Sequence, residues 1–563
     1  MQVFSRRLFG LLSVLIAAVA IAACGGGNDN SNDSGDSGGG SAESTPAGRD
    51  GGEATFAYAS FPDYLDPALS YTVAGWQALA DTNLPLLTYK RVKGEEGAKL
   101  IPALAEAMPD VSSDGTTYTL TLRDGLKYSD GSPVKANDFE HTIKRVINLE
   151  SGGSSFFTGN IVGAEEYEKA GKAKGDISGI TADDATRKIT IKIKQPSGQF
   201  PFILAMDFAG LVPGDTPFSN ETKSPPPGVG PFKITSVATG RSFVMEKNAN
   251  YPEIEGLPAA HLDKITINAV TQDSRAITDV LQNKADYYDE PPSSDALREF
   301  RAQAPERYRG EVTNSTYYYF LNTRVKPFDN PQVRQAVNFA IDKRALQRLF
   351  GGLLTPSCNF LPPGMQGYQK IDPCPYGDPT AAPNVDKAKQ MIQQAGVAGQ
   401  SVTVYGNDEE LTRNVTEYLA SVLTEIGLKP QLRIVNGDVY FQTIGNQDTK
   451  AAAGFANWFQ DYPHPYNFMF LIDGKSIQDT NNQNFGNVDD PKINSMLAAA
   501  NKKDISEAAP DYAAVDKQLV TNGDIVPYGN RVLPFIMSNR MDFQSALFHP
   551  VLQAVYSTFA LKG

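Results

Sequence analysis

Cysteine, tryptophan and histidine are scarce in this chain of 563 residues, which has three, two and four of them. The histidines are scattered and show no metal-ligand spacing: His141, His261, His464 and His549. No G-x-S-x-G, H-E-x-x-H or G-x-G-x-x-G motif occurs, and Gly474-Lys475-Ser476 lacks the first glycine of a phosphate loop because Met469 stands there. We therefore predict that the protein is not an enzyme and that it uses no metal and no cofactor.

Positive charge is also in deficit, with 51 Lys and Arg against 64 Asp and Glu and a net charge of −13 at pH 7. A nucleic-acid partner would require a basic surplus that displaces counterions from phosphate. The composition therefore predicts no nucleic-acid partner, and solubility explains the acidity. A chain of this length is too long for a single core and predicts two or three domains.

The first residues read as an export signal rather than a membrane span. Arg6-Arg7 precede an apolar run, Leu8 to Ala20, that is shorter than the roughly 20 residues of a membrane-spanning helix. Ile21-Ala22-Ala23-Cys24 resembles a lipobox, in which the cysteine receives the lipid. We predict a lipoprotein signal peptide over residues 1–23, a lipidated (palmitate-bearing) Cys24, and an extracytoplasmic protein anchored to the outer face of the cell membrane.

Two questions about this segment stay open at the level of sequence. Ser5 to Phe9 also resembles a twin-arginine signal, so either the general secretory or the twin-arginine route fits. The alternative to lipidation is that Cys24 is a small apolar residue of an uncleaved anchor. Residues 24–52 consist almost wholly of Gly, Asn, Asp and Ser, which predicts a disordered tether, and the fixed spacing of a calcium loop is missing.

Only two cysteines remain in the body, Cys358 and Cys374. Because an exported protein meets an oxidising environment, we predict a disulfide between them. It would close a loop of about 15 residues and contribute about 3 kcal/mol in the chain-entropy model. A metal site is the weaker alternative, since no histidine lies nearby.

The most informative stretch is Pro102 to Phe139. Tyr118, Leu120 and Leu122 alternate with threonines, which predicts a half-buried strand. Asn137 or Asp138 is expected to cap a helix that begins near Phe139. The run "LAE…DG…YTLTLRDGLKYSDGSPV…NDF" also resembles the signature of solute-binding protein family 5, the extracytoplasmic receptors of ABC importers.

Other passages resemble the same family in the expected order. They are Leu65-Asp66-Pro67, which the resemblance places near the ligand cleft, Gly228 to Ile234, and the helix that Asn330 and Pro331 begin. The resemblance implies an α/β, two-lobed periplasmic-binding-protein-like (type II) fold with an additional inserted subdomain. The implied boundaries are residues 53–87, 229–313 and 526–563 for lobe I, 88–228 for the inserted subdomain and 314–525 for lobe II.

The passage Trp458 to Pro465 holds the candidate binding site. Two aromatic side chains and an acid in a Pro-rich loop could hold an ammonium group. The family resemblance makes Asp461 the partner of a peptide α-amino group and Trp458 a pocket wall, while His464 stands where the family often has a second acid. The full set of predicted ligand-binding residues is Asp461, Trp458, Phe459, Asn457, Tyr71, Thr72 and Trp76.

The resemblance implies a monomeric substrate-binding component of an ABC importer, which captures short peptides by hinge closure and delivers them to the permease subunits. Three alternatives stay open. The same receptor fold could take a nickel chelate or an oligosaccharide. Less expected are an exported hydrolase, for which no catalytic set is found, and a sensor domain.

Overall fold

The computed structural model describes residues 48–171 and 174–563. The predicted signal peptide, Cys24 and most of the predicted tether lie outside these ranges. Within them, no helix combines the length and the apolar character that a bilayer crossing requires.

The strands of the described residues are numbered in chain order. They are β1 (Glu53–Tyr58), β2 (Leu87–Tyr89), β3 (Leu100–Pro102), β4 (Asp110–Val111), β5 (Thr117–Thr121), β6 (Ile180–Asp183), β7 (Lys188–Lys192), β8 (Phe232–Ala238), β9 (Ser242–Lys247), β10 (Lys264–Ala269), β11 (Tyr287–Tyr288), β12 (Tyr308–Val312), β13 (Ser315–Leu321), β14 (Leu354–Pro356), β15 (Ser401–Asn407), β16 (Lys429–Val435), β17 (Ala453–Phe459), β18 (Ile525–Met537), β19 (Leu547–His549) and β20 (Gln553–Val555).

The α-helices of the described residues are numbered in the same way. They are α1 (Val73–Leu79), α2 (Asn137–Asn148), α3 (Ser154–Thr158), α4 (Ala164–Ala170), α5 (Phe200–Ile203), α6 (Asp273–Leu281), α7 (Ser294–Gln303), α8 (Pro331–Ala340), α9 (Lys343–Leu349), α10 (Val385–Gln394), α11 (Glu410–Glu425), α12 (Tyr440–Ile444), α13 (Tyr466–Met469), α14 (Pro491–Ala500) and α15 (Ile505–Asn522).

A large mixed sheet runs through the molecule in the order β16-β15-β17-β13-β18-β11-β1-β10-β9-β8, with β12 and β14 also paired to β18. The long strand β18 joins its two halves. It pairs with β13 as far as Gly529 and with β12 from Val532 onward. The chain therefore passes between the halves at residues 313–314 and 530–531, while the predicted lobe boundaries themselves stay predictions.

The buried apolar side chains form separate cores. One large core lies between Tyr317 and Tyr528 in the sequence. A second lies between Ala68 and Leu257 and also takes in Tyr462. The separation of these cores fits a molecule built from more than one packed body.

The signature region forms the second core with a small antiparallel sheet, β4-β5-β7-β6. Tyr118 and Leu120 are buried, as the alternation predicts. The expected cap of the next helix is wrong: α2 begins at Asn137, and Ala136 precedes it without a side-chain cap. The Asp138 carboxylate instead accepts hydrogen bonds from the backbone N–H groups of Lys135 (2.8 Å) and Gly214 (3.0 Å).

Asp66 and Arg145 form a fully buried ion pair in the same region. The guanidinium donates to both carboxylate oxygens, at 3.0 and 2.8 Å, and also to the carbonyl oxygens of Pro217 and Ser219. Asp66 additionally accepts from the backbone of Ala68 and Glu221. The pair ties the loop before α1 to helix α2, which gives Asp66 a structural role.

The predicted disulfide is confirmed. Cys358 and Cys374 are bonded, with their Cα atoms 6.0 Å apart. Inside the loop, Asn359 donates to the carbonyl oxygen of Gln369 at 2.8 Å and accepts from the backbone of Ile371 at 3.1 Å. The bridge therefore closes a loop that asparagine hydrogen bonds also shape.

Candidate functional site

A cavity of about 940 Å³ lies between residues 71–203 on one side and residues 441–485 on the other. We call it the cleft cavity. Its volume is in the range of sites that enclose small ligands. Among the described residues, two side-chain hydrogen bonds join its sides: the Tyr71 hydroxyl donates to Asp461 at 3.2 Å, and the Tyr462 hydroxyl donates to Gln199 at 2.5 Å.

Aromatic side chains form much of the cavity wall. Trp458 packs edge-on against Phe470, with ring centroids 5.2 Å apart. Its indole N–H donates to Asn467 at 3.3 Å, so the ring is fixed in orientation. The other aromatic rings of the wall, tyrosines aside, are Phe156, Phe441, Phe459 and Phe485.

Asp461 is held on the cavity wall by a short network. One carboxylate oxygen accepts from Tyr71, and the other accepts from the Asn467 side-chain amide at 2.9 Å. The Asn467 carbonyl oxygen in turn accepts from the Asp461 backbone N–H at 2.9 Å. Asn467 lies in the first turn of helix α13. Through these two hydrogen bonds it fixes both the Asp461 loop and the direction of the carboxylate.

Burial raises the pKa of Asp461 to about 6, against the opposing effect of the hydrogen bonds from Asn467 and Tyr71. The carboxylate is therefore ionised at neutral pH but poorly solvated. An ammonium group placed beside it would replace the missing solvation and would bring the pKa down. The arrangement suits recognition of a cationic group.

The structure brings five of the seven predicted ligand-binding residues to the cleft cavity: Tyr71, Asn457, Trp458, Phe459 and Asp461. Thr72 and Trp76 do not line it. Their roles in ligand binding remain predictions, as do those of the other five.

The two residues outside the cavity wall have local structural contacts. Thr72 is exposed, donates to Asp63 at 2.8 Å and caps α1 by accepting from the Gly75 N–H. Trp76 stacks on Tyr71 with ring centroids 5.5 Å apart and donates to the carbonyl oxygen of Ser70. Trp76 therefore holds the Tyr71 ring in place.

His464 does not line the cleft cavity. It is buried against Phe202 and Tyr512, and burial lowers its pKa to about 4. Its Nδ1 accepts from the backbone of Tyr466 at 3.2 Å. The neutral imidazole has a packing role at the base of the Asp461 loop.

Sequence reasoning missed a group of polar, uncharged side chains in the wall. The group comprises Ser155, Asn160, Gln199, Asn467, Ser476, Gln478, Asn481 and Gln483. No short motif links these residues, and folding alone brings them together. A cluster of amides at 478–484 was the one signal available.

A smaller cavity of about 50 Å³ adjoins the site and shares Phe459 and Asp461 with it. Trp76 and Asp207 also line it. Burial raises the pKa of Asp207 to about 8, so this carboxyl group is largely protonated at neutral pH. Asp461 is consequently the side chain that supplies negative charge here at neutral pH.

Comparison with known proteins identifies the family. Residues 99–480 match the family model of bacterial extracellular solute-binding proteins, family 5 Middle. The chain belongs to this family. The sequence-based assignment is thereby confirmed.

The curated relatives share less than 30% sequence identity with the chain. The chain is 29% identical over 343 residues to the glutathione-binding protein GsiB of Salmonella typhi, which covers 60% of this chain and 62% of GsiB. The chain therefore aligns with about 62% of the length of that relative. It is 24% identical over 479 residues to the periplasmic murein peptide-binding protein MppA of Escherichia coli K12, covering 83% of this chain and 85% of MppA.

Solved structures confirm the predicted fold class. Clavulanic acid biosynthesis oligopeptide binding protein 2 superposes with a TM-score of 0.83 at 22% identity, covering 92% of this chain and 96% of that one. DppA from Helicobacter pylori, solved with the peptide STSA, superposes with a TM-score of 0.68 at 20% identity, covering 92% and 99%. The fold is the two-lobed α/β type II architecture.

Proposed function

We propose that this protein is the extracytoplasmic substrate-binding component of an ABC importer, and that it captures short peptides in the cleft cavity and delivers them to the membrane permease. Family membership and the peptide-binding names of several relatives support the class. The observation that carries the peptide assignment is Asp461, a half-buried carboxylate that Tyr71 and Asn467 hold in a cavity with aromatic walls.

Peptide capture would combine one charged contact with many neutral ones. The peptide α-amino group pairs with Asp461 through a charge-assisted hydrogen bond. The neutral amides bind the peptide backbone, and the aromatic rings accommodate varied side chains. Such a site tolerates many sequences because only the amino terminus is read by charge.

Hinge closure would couple binding to delivery. The chain crosses between the halves of the large sheet at Thr313-Asn314 and at Asn530-Arg531. These crossings are bonded to each other, since Thr313 N–H donates to the carbonyl oxygen of Arg531 at 2.9 Å. A ligand that contacts both sides of the cavity stabilises the closed form, which the permease recognises.

The proposal also covers the cellular location and the oligomeric state of the protein. The protein acts as a monomer, attached to the outer face of the cell membrane by a lipid on Cys24. Within the receptor class, an oligosaccharide is the competing ligand, because Trp458 and Phe459 could stack on sugar rings. A sugar would leave the Asp461 carboxylate without a cation, which favours the peptide.

Asp461→Asn tests the proposal directly. The substitution keeps the shape of the side chain and removes the charge, so affinity for the tripeptide Ala-Phe-Ala should fall by about 2–5 kcal/mol. Isothermal titration calorimetry measures the loss. N-acetylated Ala-Phe-Ala lacks the ammonium group, so it should bind the wild-type protein as weakly as Ala-Phe-Ala binds the Asp461→Asn variant.

Asp511→Asn is the matched control, because it removes the same charge from the exposed face of α15 next to Lys503. It should leave affinity unchanged. If Asp461→Asn binds Ala-Phe-Ala like the wild type while circular dichroism reports a normal fold, the amine-anchor role is refuted.

A further inference from the structure

The cleft cavity is unbalanced in charge. Among the described residues that line it, Asp461 is the one acid, and none is a lysine or an arginine. The remaining lining side chains are aromatic, aliphatic, hydroxyl or amide groups. A ligand in this cavity therefore meets an oppositely charged side chain for a cation and none for an anion.

The nearest cation along the lining segments is Lys475, next to Ser476 in the sequence. Lys475 is exposed and does not line the cavity. Its backbone N–H donates to Asp473 at 3.0 Å, which holds this residue in a 3-10 turn at the cavity edge. The charge therefore lies in solvent rather than against a bound ligand.

Neutral amides occupy the cavity wall opposite Tyr71, on the segment from Ser476 to Phe485. Two buried asparagines fix this segment. Asn484 donates to the carbonyl oxygen of Val488 at 2.9 Å, and Asn482 donates to that of Asn484 at 2.8 Å. The exposed amides of Gln478 and Asn481 are thus carried on a fixed backbone and offer donors and acceptors without charge.

A free carboxylate enclosed here would lose hydration without gaining a cation, and an unpaired buried charge is strongly unfavourable. A neutral amide group would lose little, because the wall amides can bond it. We infer that the cleft cavity selects peptides that carry an ammonium group and bring no free carboxylate into it: short peptides with an amidated or otherwise blocked carboxyl end, or longer peptides whose carboxyl end lies outside. This inference rests on the proposed peptide-binding function.

The test compares Ala-Phe-Ala as the free acid with its carboxyl-terminal amide, by calorimetry on the full chain purified in detergent. The amide should bind at least about tenfold more tightly. In an eight-residue peptide with the same first three residues, the free acid and the amide should bind equally, because the carboxyl end leaves the cavity. Equal affinity of the two tripeptides, or preference for the free acid, would overturn the inference.

A gain-of-charge variant separates this inference from the peptide assignment. Gln478→Arg places a cation in the cavity wall and should reduce the difference in affinity between the free-acid and the amide tripeptide. Lys475→Ala should leave that difference unchanged. If Gln478→Arg does not alter this difference in affinity, the missing cation is not the cause of the difference. Tight binding of the free acid alone would refute the inference but leave the peptide function intact, while binding of no peptide at all would overturn both.

Discussion

At the scale of single residues, Asp461 shows how much of the site sequence can reveal. Two aromatic residues and an acid in a Pro-rich loop marked it, together with the family resemblance. Its hydrogen bonds were not predictable. Tyr71 was assigned to the same site, but its bond to Asp461 spans 390 residues, and Asn467 shows no motif, so both contacts follow from tertiary structure alone.

The raised pKa of Asp461 predicts a pH dependence of binding. Because its pKa is about 6 in the free protein, and an ammonium partner lowers it in the complex, binding releases a proton at acidic pH. Affinity for Ala-Phe-Ala should therefore fall as the pH drops through about 6, by up to about tenfold per unit.

Calorimetry between about pH 5 and about pH 8 measures this dependence. Among the neighbouring groups, burial holds the pKa of Tyr71 and Tyr462 far above this window and that of His464 at about 4, below it. Burial raises the pKa of Asp207, in the adjoining smaller cavity, to about 8, so this group titrates at the upper end of the window and the dependence on Asp461 is measured at its acidic end. Asp461→Asn should remove the dependence. A wild-type affinity that stays constant across the window would contradict the ammonium contact.

Asp66 illustrates a residue whose role the sequence could not assign. The resemblance placed its Leu-Asp-Pro segment near the cleft, but Asp66 pairs with Arg145, 79 residues away. Asp66→Asn leaves this arginine buried without its counter-charge and should lower the free energy of unfolding by about 3–5 kcal/mol. Urea unfolding followed by circular dichroism measures the change.

Glu106→Gln is the control for Asp66→Asn. Glu106 pairs with Arg187 at 3.1 Å on the surface, where both side chains are substantially exposed. Such pairs contribute at most about 1 kcal/mol. Equal stability of the two variants would show that burial of the Asp66 pair adds nothing.

At the scale of elements, local patterns predicted what local physics determines. Alternation identified β5, and Asn330 with Pro331 does begin α8, where Asn330 accepts from the Gln332 N–H. The cap of α2 was predicted wrongly because the helix begins after Ala136, which has no capping side chain, while Asp138 lies inside the helix and accepts from Lys135 and the distant Gly214. Strand β18 was foreseen only as a return to lobe I, since its double pairing depends on strands far away in sequence.

The disulfide loop gives a prediction at this scale. Replacing both cysteines, Cys358→Ser with Cys374→Ser, should lower the free energy of unfolding by about 3 kcal/mol, because the open loop has more conformations in the unfolded chain. Denaturant unfolding measures the loss. Reductant should shift the wild-type midpoint toward that of the double variant and leave the variant unchanged; a variant as stable as the oxidised wild type would contradict the prediction.

At the scale of the whole molecule, the family signature predicted the two-lobed fold because its passages are spread along the chain in a fixed order. The lobe boundaries depend on where the chain crosses the hinge. The positions of these crossings are determined by packing between strands that are distant in sequence, and local sequence patterns carry no information about such packing. The proposed lipid anchor on Cys24 lies outside the described residues and rests on the lipobox.

Native mass spectrometry of the full chain, purified in detergent from its own membranes, tests the central claim most directly. After denaturing release, the account predicts a series of bound masses that match short peptides, each with a free amino group. A single discrete mass, a metal or a sugar series would contradict the peptide assignment and the role of Asp461, while leaving the receptor fold in place.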